Sequence, residues 1–233
     1  MTSPTTTKPN TKAPQQETQA EKSAVDHAQT ILDWTSINSK ALTIGVAVIA
    51  VAAVIFWFYG RSRQIQQTNG QKALLNAKQS LASGNLQLAQ TDLQSVYSRY
   101  GSTEAGVEAA MILATMSYDN NKPQDGLSLL QKVEGSRAAS SVQGTIRSLE
   151  GDGYSLMGKL ADAAKQYEAA ASATSFPLEK GFYQSKAARA YQVAGDTAKA
   201  RSLWTSLAND PNASMATEAK VRLGELEAQP AKR

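Results

Sequence analysis

GDGYSLMGKLADAAKQYEAA, residues 151–170, sets a small residue at Gly151, a turn-prone glycine at Gly158, a second small residue at Ala163 and an aromatic at Tyr167. The same order recurs three more times at intervals of 37 residues. Ala77, Gly84, Ala89 and Leu93 form the first copy, and Ala114, Asn121, Gly126 and Leu130 the second. Ala188, Gly195, Ala200 and Trp204 form the last. Glycine and asparagine enter the left-handed backbone region most readily, so Gly84, Asn121, Gly158 and Gly195 mark the ends of helices. A small residue on each side of such a turn lets two antiparallel helices approach closely. The large residue in the second helix then fills the space against the next pair. No pair buries its apolar face alone, so the copies are expected to stack into an α-solenoid.

The residues that carry this pattern also carry a resemblance. Gly151, Tyr154, Gly158, Ala163, Tyr167 and Ala170 resemble the core of the tetratricopeptide repeat, and Ala188, Tyr191, Gly195, Ala200 and Trp204 do so nearly as well. The first two copies depart from it, with Ser80 and Ser117 at the usual tyrosine position and the pair Asn121 and Gly126 in place of glycine and alanine. A period of 37 rather than about 34 implies slightly longer turns between repeats. The fold expected is all-α, with four helix pairs at about 64–101, 102–138, 139–175 and 176–212, a capping helix over 213–228 and a tail over 229–233.

Upstream lies Ala41–Tyr59, ALTIGVAVIAVAAVIFWFY, 19 residues without a charged side chain. As a helix it is about 28 Å long, which matches the hydrocarbon core of a bilayer. Phe56, Trp57, Phe58 and Tyr59 crowd one end as an interfacial aromatic belt does, and Lys40, Arg61 and Arg63 flank the run. A transmembrane helix over 41–59 follows, retained as an uncleaved anchor because no small-residue cleavage site succeeds it. Residues 1–22 are rich in Thr, Pro, Gln and Lys and are expected to be disordered. Over 23–40, Val25, Ala28, Ile31, Leu32 and Thr35 fall at helical spacing, which suggests a short amphipathic helix at the membrane surface or a frayed extension of the span.

Composition excludes several function classes. The chain has no cysteine, and its one histidine, His27, precedes the span, so thiol chemistry and multi-histidine metal sites are not expected in the repeats. The net charge of +4 arises after the span, as 20 basic against 16 acidic residues, with no run of three basic residues. So mild an excess does not point to nucleic acid. Asp152 and Asp162, or Glu104 and Glu108, are carboxylate pairs without a histidine or cysteine to work with. Neither a catalytic site nor a cofactor or metal is expected.

The order of parts (a polar N-terminus, one span near residue 50 and a repeat domain) is similar to that of the ancillary subunit family of the bacterial SecYEG translocon. That resemblance implies a plasma-membrane protein with a cytoplasmic N-terminus and periplasmic repeats, associated with SecYEG and with periplasmic chaperones. The flanking charges lean the other way. Lys22 and Lys40 precede the span, against Arg61, Arg63, Lys72 and Lys78 after it.

In tetratricopeptide domains the first helix of each pair lines a concave groove. Carried over copy by copy, the groove positions are Leu74 and Lys78, Met111 and Tyr118, Ser148 and Asp152, and Phe182, Arg189 and Gln192. Met111, Tyr118 and Phe182 read as apolar anchors for an extended peptide, with Arg189 and Gln192 as hydrogen-bonding groups. The lysine–asparagine clamp that holds acidic chaperone C-termini is absent, because Leu74, Met111, Ser148 and Ser185 stand at its positions. The expected function is non-catalytic protein binding at the cell envelope, as an accessory factor of protein export or, alternatively, as a scaffold for cell-division or wall-synthesis assemblies.

Overall fold

Every turn-prone residue of the 37-residue pattern ends a helix in the same way. In the computed structural model, which describes residues 39–210 and 215–228, Gly84 (φ 79°), Asn121 (56°), Gly158 (73°) and Gly195 (88°) are the positive-φ residues among those described. Each N–H donates to the carbonyl three residues back, on Leu81, Tyr118, Ser155 and Gln192. The next residue's N–H reaches five back, to Ser80, Ser117, Tyr154 and Tyr191. That pair of hydrogen bonds satisfies the last carbonyls of a helix that must reverse direction.

The chain divides into two units, Met1–Arg61 and Ser62–Arg233. The helices are α1 (Ser39–Ala82), α2 (Leu86–Tyr100), α3 (Glu104–Asp119), α4 (Pro123–Glu134), α5 (Gln143–Leu156), α6 (Leu160–Ala173), α7 (Pro177–Ala194), α8 (Thr197–Asn209) and α9 (Ala216–Ala228). No strand occurs among the described residues. Starts are set locally: Asn85, Thr103 and Asp196 accept from backbone N–H groups of the following turn, and Pro123 and Pro177 occupy first-turn positions.

In the first unit, the described part is the apolar beginning of α1. It is the one helix among the described residues long and apolar enough to cross a membrane, with a mean hydropathy of 2.2 over its best window. Its side chains from Val48 through Tyr59 are exposed. The helix runs on past Tyr59 and Gly60 to Ala82. The amphipathic segment expected over 23–40 and the disordered tail over 1–22 lie, except for residues 39–40 within α1, outside the described residues, as does the tail over 229–233.

In the second unit the core is a chain of overlapping clusters rather than one centre. Leu74, Ala77, Leu93, Val96, Ala109 and Leu113 join the first pair to the second. Ala110, Ala114, Tyr118, Leu130, Val133 and Ile146 join the second to the third. Ala163, Tyr167, Ala188, Trp204, Leu207 and Leu226 join the third, the fourth and the cap α9. A solenoid, in which each repeat packs only on its neighbours, requires this division. The small residues sit where helices touch most closely. A Cβ on Gly126 would stand 2.3 Å from the Tyr118 ring, and one on Gly151 would stand 2.5 Å from the Tyr167 ring.

The 37-residue period does not come from uniformly longer turns. Three-residue links join α2 to α3 and α6 to α7, whereas α4 is short and a 3₁₀ helix, Arg137–Val142, fills the gap before α5. The fourth repeat keeps the period with an 18-residue α7. The serines that replace tyrosine in the weak copies bond within their own pair or helix: Ser80 Oγ donates to Asp92 on α2, and Ser117 Oγ to the Leu113 carbonyl one turn back. In the last copy Tyr191 donates to Glu168 of the preceding repeat at 2.7 Å.

Candidate partner-binding surface

One face of α7 carries exposed Phe182 and Val193 with half-buried Lys186 and Arg189 between them, residues three and four apart. Phe182 is 43 % exposed and Val193 is 71 % exposed. Between them the charges are held in place. Lys186 Nζ lies 2.6 Å from Asp152 Oδ1 on α5 and donates to Ser148 Oγ at 3.1 Å. The same ammonium stands 4.6 Å from the centre of the Tyr167 ring and 5.6 Å from that of Phe182. Tyr167 donates its hydroxyl to Asp152 at 2.6 Å. Burial, and then the hydrogen bond to a carboxylate, push its pKa well above the ordinary phenol range.

Arg189 points toward the cap. Its guanidinium donates to both oxygens of Glu218 on α9, at 3.0 and 2.7 Å. Those bonds hold the Glu218 carboxyl below the usual glutamate range. A cleft of about 200 Å³ opens beside these groups, lined by Ser155, Leu160, Tyr167, Lys186, Arg189 and Val193. Its polar side is formed by these two ion-paired cations and its apolar side by Leu160 and Val193. Gln192 is half-buried next to it.

A second cleft of about 330 Å³ lies toward the N-terminal end of the repeats, with Met111, Val107 and Val142 as its apolar side and Gln71, Glu104 and Glu108 as its polar side. Glu108 is ion-paired with Lys78. The sequence-derived groove positions thus fall into two groups. Met111, Phe182, Arg189 and Gln192 line or border open surface. Tyr118 does not act as an exposed anchor: it is 8 % exposed, packs in the core between the second and third repeats, and donates its hydroxyl to the Leu149 carbonyl. Gly126, directly beside its ring, makes the room for it. Leu74 and Ser148 are likewise buried.

Lys186 was not singled out from the sequence, although it lies four residues after Phe182 and three before Arg189 on the same face. The carboxylates weighed for catalysis have structural partners: Asp152 holds Tyr167 and Lys186, and Asp162 pairs with Lys165. Among the described residues no three acidic or histidine side chains are grouped as metal ligands.

A family model described as a tetratricopeptide repeat-like domain matches residues 61–186, more than half of the chain. The match takes in both degenerate early copies and ends within α7, before the last turn of that helix and before α8 and α9. Comparison with curated proteins finds no match.

Proposed function

The chain belongs to the tetratricopeptide repeat-like domain family, and from that premise we propose that it is a membrane-anchored, non-catalytic module that holds protein partners at the envelope through the face of its first helices. The observation that carries the reading is the α7 face, where exposed Phe182 and Val193 flank the fixed cations Lys186 and Arg189. Interfaces favour this mixture, with apolar anchors for affinity and immobilised charges for register. The apolar start of α1 supports the anchor. Confinement to the membrane raises the effective concentration of partners held at the same surface, so modest contacts suffice.

Within that reading the partners are the SecYEG channel and periplasmic chaperones, with the N-terminus cytoplasmic and the repeats periplasmic. Similarity in the order of parts supports it: a polar tail, one span and a repeat domain. Extraction of the full chain in a mild detergent, followed by identification of what co-purifies, tests it. Channel or chaperone subunits enriched over a variant carrying F182A and V193A support the proposal. Enrichment of cell-division or wall-synthesis proteins instead would move the module to that assembly.

A further inference from the structure

Glu150 is a glutamate in the wrong place for an ordinary glutamate. It sits on α5 at 2 % exposure, where the second repeat meets the third, and its Oε1 has no hydrogen-bond partner among the described residues. The nearest cation on its own helix, Arg147, is committed elsewhere. Arg147 lies 2.7 Å from Glu134 on α4 and donates to Gln166 on α6. Glu134 also accepts from Gln143 at 3.1 Å. Glu150 thus shares this junction with a second carboxylate, to which Arg147 is already ion-paired.

We propose that Glu134, Arg147 and Glu150 form a proton-sensitive joint between the second and third repeats, closed when Glu150 is neutral and loosened when it ionises. A buried carboxylate oxygen without a donor is unfavourable, and a like charge acting on it adds to the penalty. The groups that face it are few. Glu134 comes from α4, Arg147 from α5 itself and Tyr118 from α3. On α6, neutral Gln166 accepts from Arg147, and the Tyr167 hydroxyl is spent on Asp152. Burial first, and Glu134 second, raise the Glu150 pKa from 4.5 to about 7.

The sign follows. An opened joint hydrates Glu150 and lets it ionise near its ordinary value, whereas the closed joint resists until about pH 7. Opening therefore becomes easier as pH rises between those two values and is independent of this group above them. The shift corresponds to an increase of about 30-fold in the opening equilibrium between pH 5 and pH 7.

The test is hydrogen exchange on the full-length protein in lipid nanodiscs, read by mass spectrometry over α4 and α5 from pH 5 to 8 and corrected for intrinsic exchange. The wild type should lose protection of that order by pH 7 and then level off, while α8 shows no such trend. E150Q should be flat over the same range. E134Q, which leaves Glu150 in place but frees Arg147, should shrink the pH effect, and it decides the matter alone if E150Q does not fold. Wild-type protection independent of pH would overturn the joint, and so would the same pH slope in the wild type and E134Q. The outcome is independent of which partner the domain binds.

Discussion

Arg189 on α7 grips both carboxylate oxygens of Glu218 on α9. A residue expected from the sequence to line a groove thus helps to tie the cap to the last repeat. Removing either partner should loosen α9, at a cost of about 1 kcal/mol, since both side chains remain partly exposed. A double-mutant cycle with R189M and E218Q, read by thermal unfolding, should recover that coupling. Because the Glu218 pKa is lowered, the contribution is present above the ordinary glutamate range and is lost as pH falls through the folded value. E218Q should remove this part of the acid limb.

The close approach at Gly151 leaves no space for a methyl group, with the Tyr167 ring 2.5 Å from the Cβ position. G151A should destabilise the repeats by about 1–3 kcal/mol through overpacking. The matched control is Gly224 on α9, where a Cβ meets nothing within 4 Å. G224A should be neutral or stabilise by about 0.5–1 kcal/mol, as expected for a helix interior. Equal effects of the two substitutions in a denaturant titration would contradict the packing account.

Asn121 is the one described residue other than glycine with a positive φ. N121G should raise stability slightly, by less than about 1 kcal/mol, because the left-handed conformation no longer meets a Cβ. G195A, at the equivalent turn, should lower it by about 1 kcal/mol. Chemical denaturation midpoints of the two variants should move in opposite directions.

Lys186 neutralises an Asp152 carboxylate that also accepts from Tyr167. K186M should cost about 1–3 kcal/mol, because it leaves that half-buried carboxylate with one donor instead of two. The double variant K186M/D152N should recover part of the loss. A K186M protein as stable as the wild type would show that the ion pair is worth nothing to the fold.

Most of the architecture was legible because it is repeated. Four glycine or asparagine turns at one spacing announce four helix ends, and the alanines and glycines around them announce the contacts. The proposed partner-binding face was harder to read. Tyr118 and Phe182 are both aromatics on first helices, yet one is core and the other surface. Only the three-dimensional neighbours distinguish them: Gly126 opens a slot for Tyr118, while nothing covers Phe182 fully. Lys186 and Glu218 meet their partners across 38 and 29 residues of sequence, and no local pattern signals such a pairing. The 3₁₀ helix at Arg137–Val142 was hidden for the opposite reason, since a strict period disguises unequal parts.

The central claim is that partners dock on the α7 face. A photo-crosslinking residue placed at Phe182 in intact cells tests it most directly, with Leu88 on α2 as the control. Arg222 on α9 is a poor control, because it pairs with the same Glu218 that Arg189 holds. The account predicts crosslinks from position 182 to channel subunits or chaperones, and none to them from position 88. Crosslinks to those proteins of equal yield from both positions, or from position 88 alone, would contradict it.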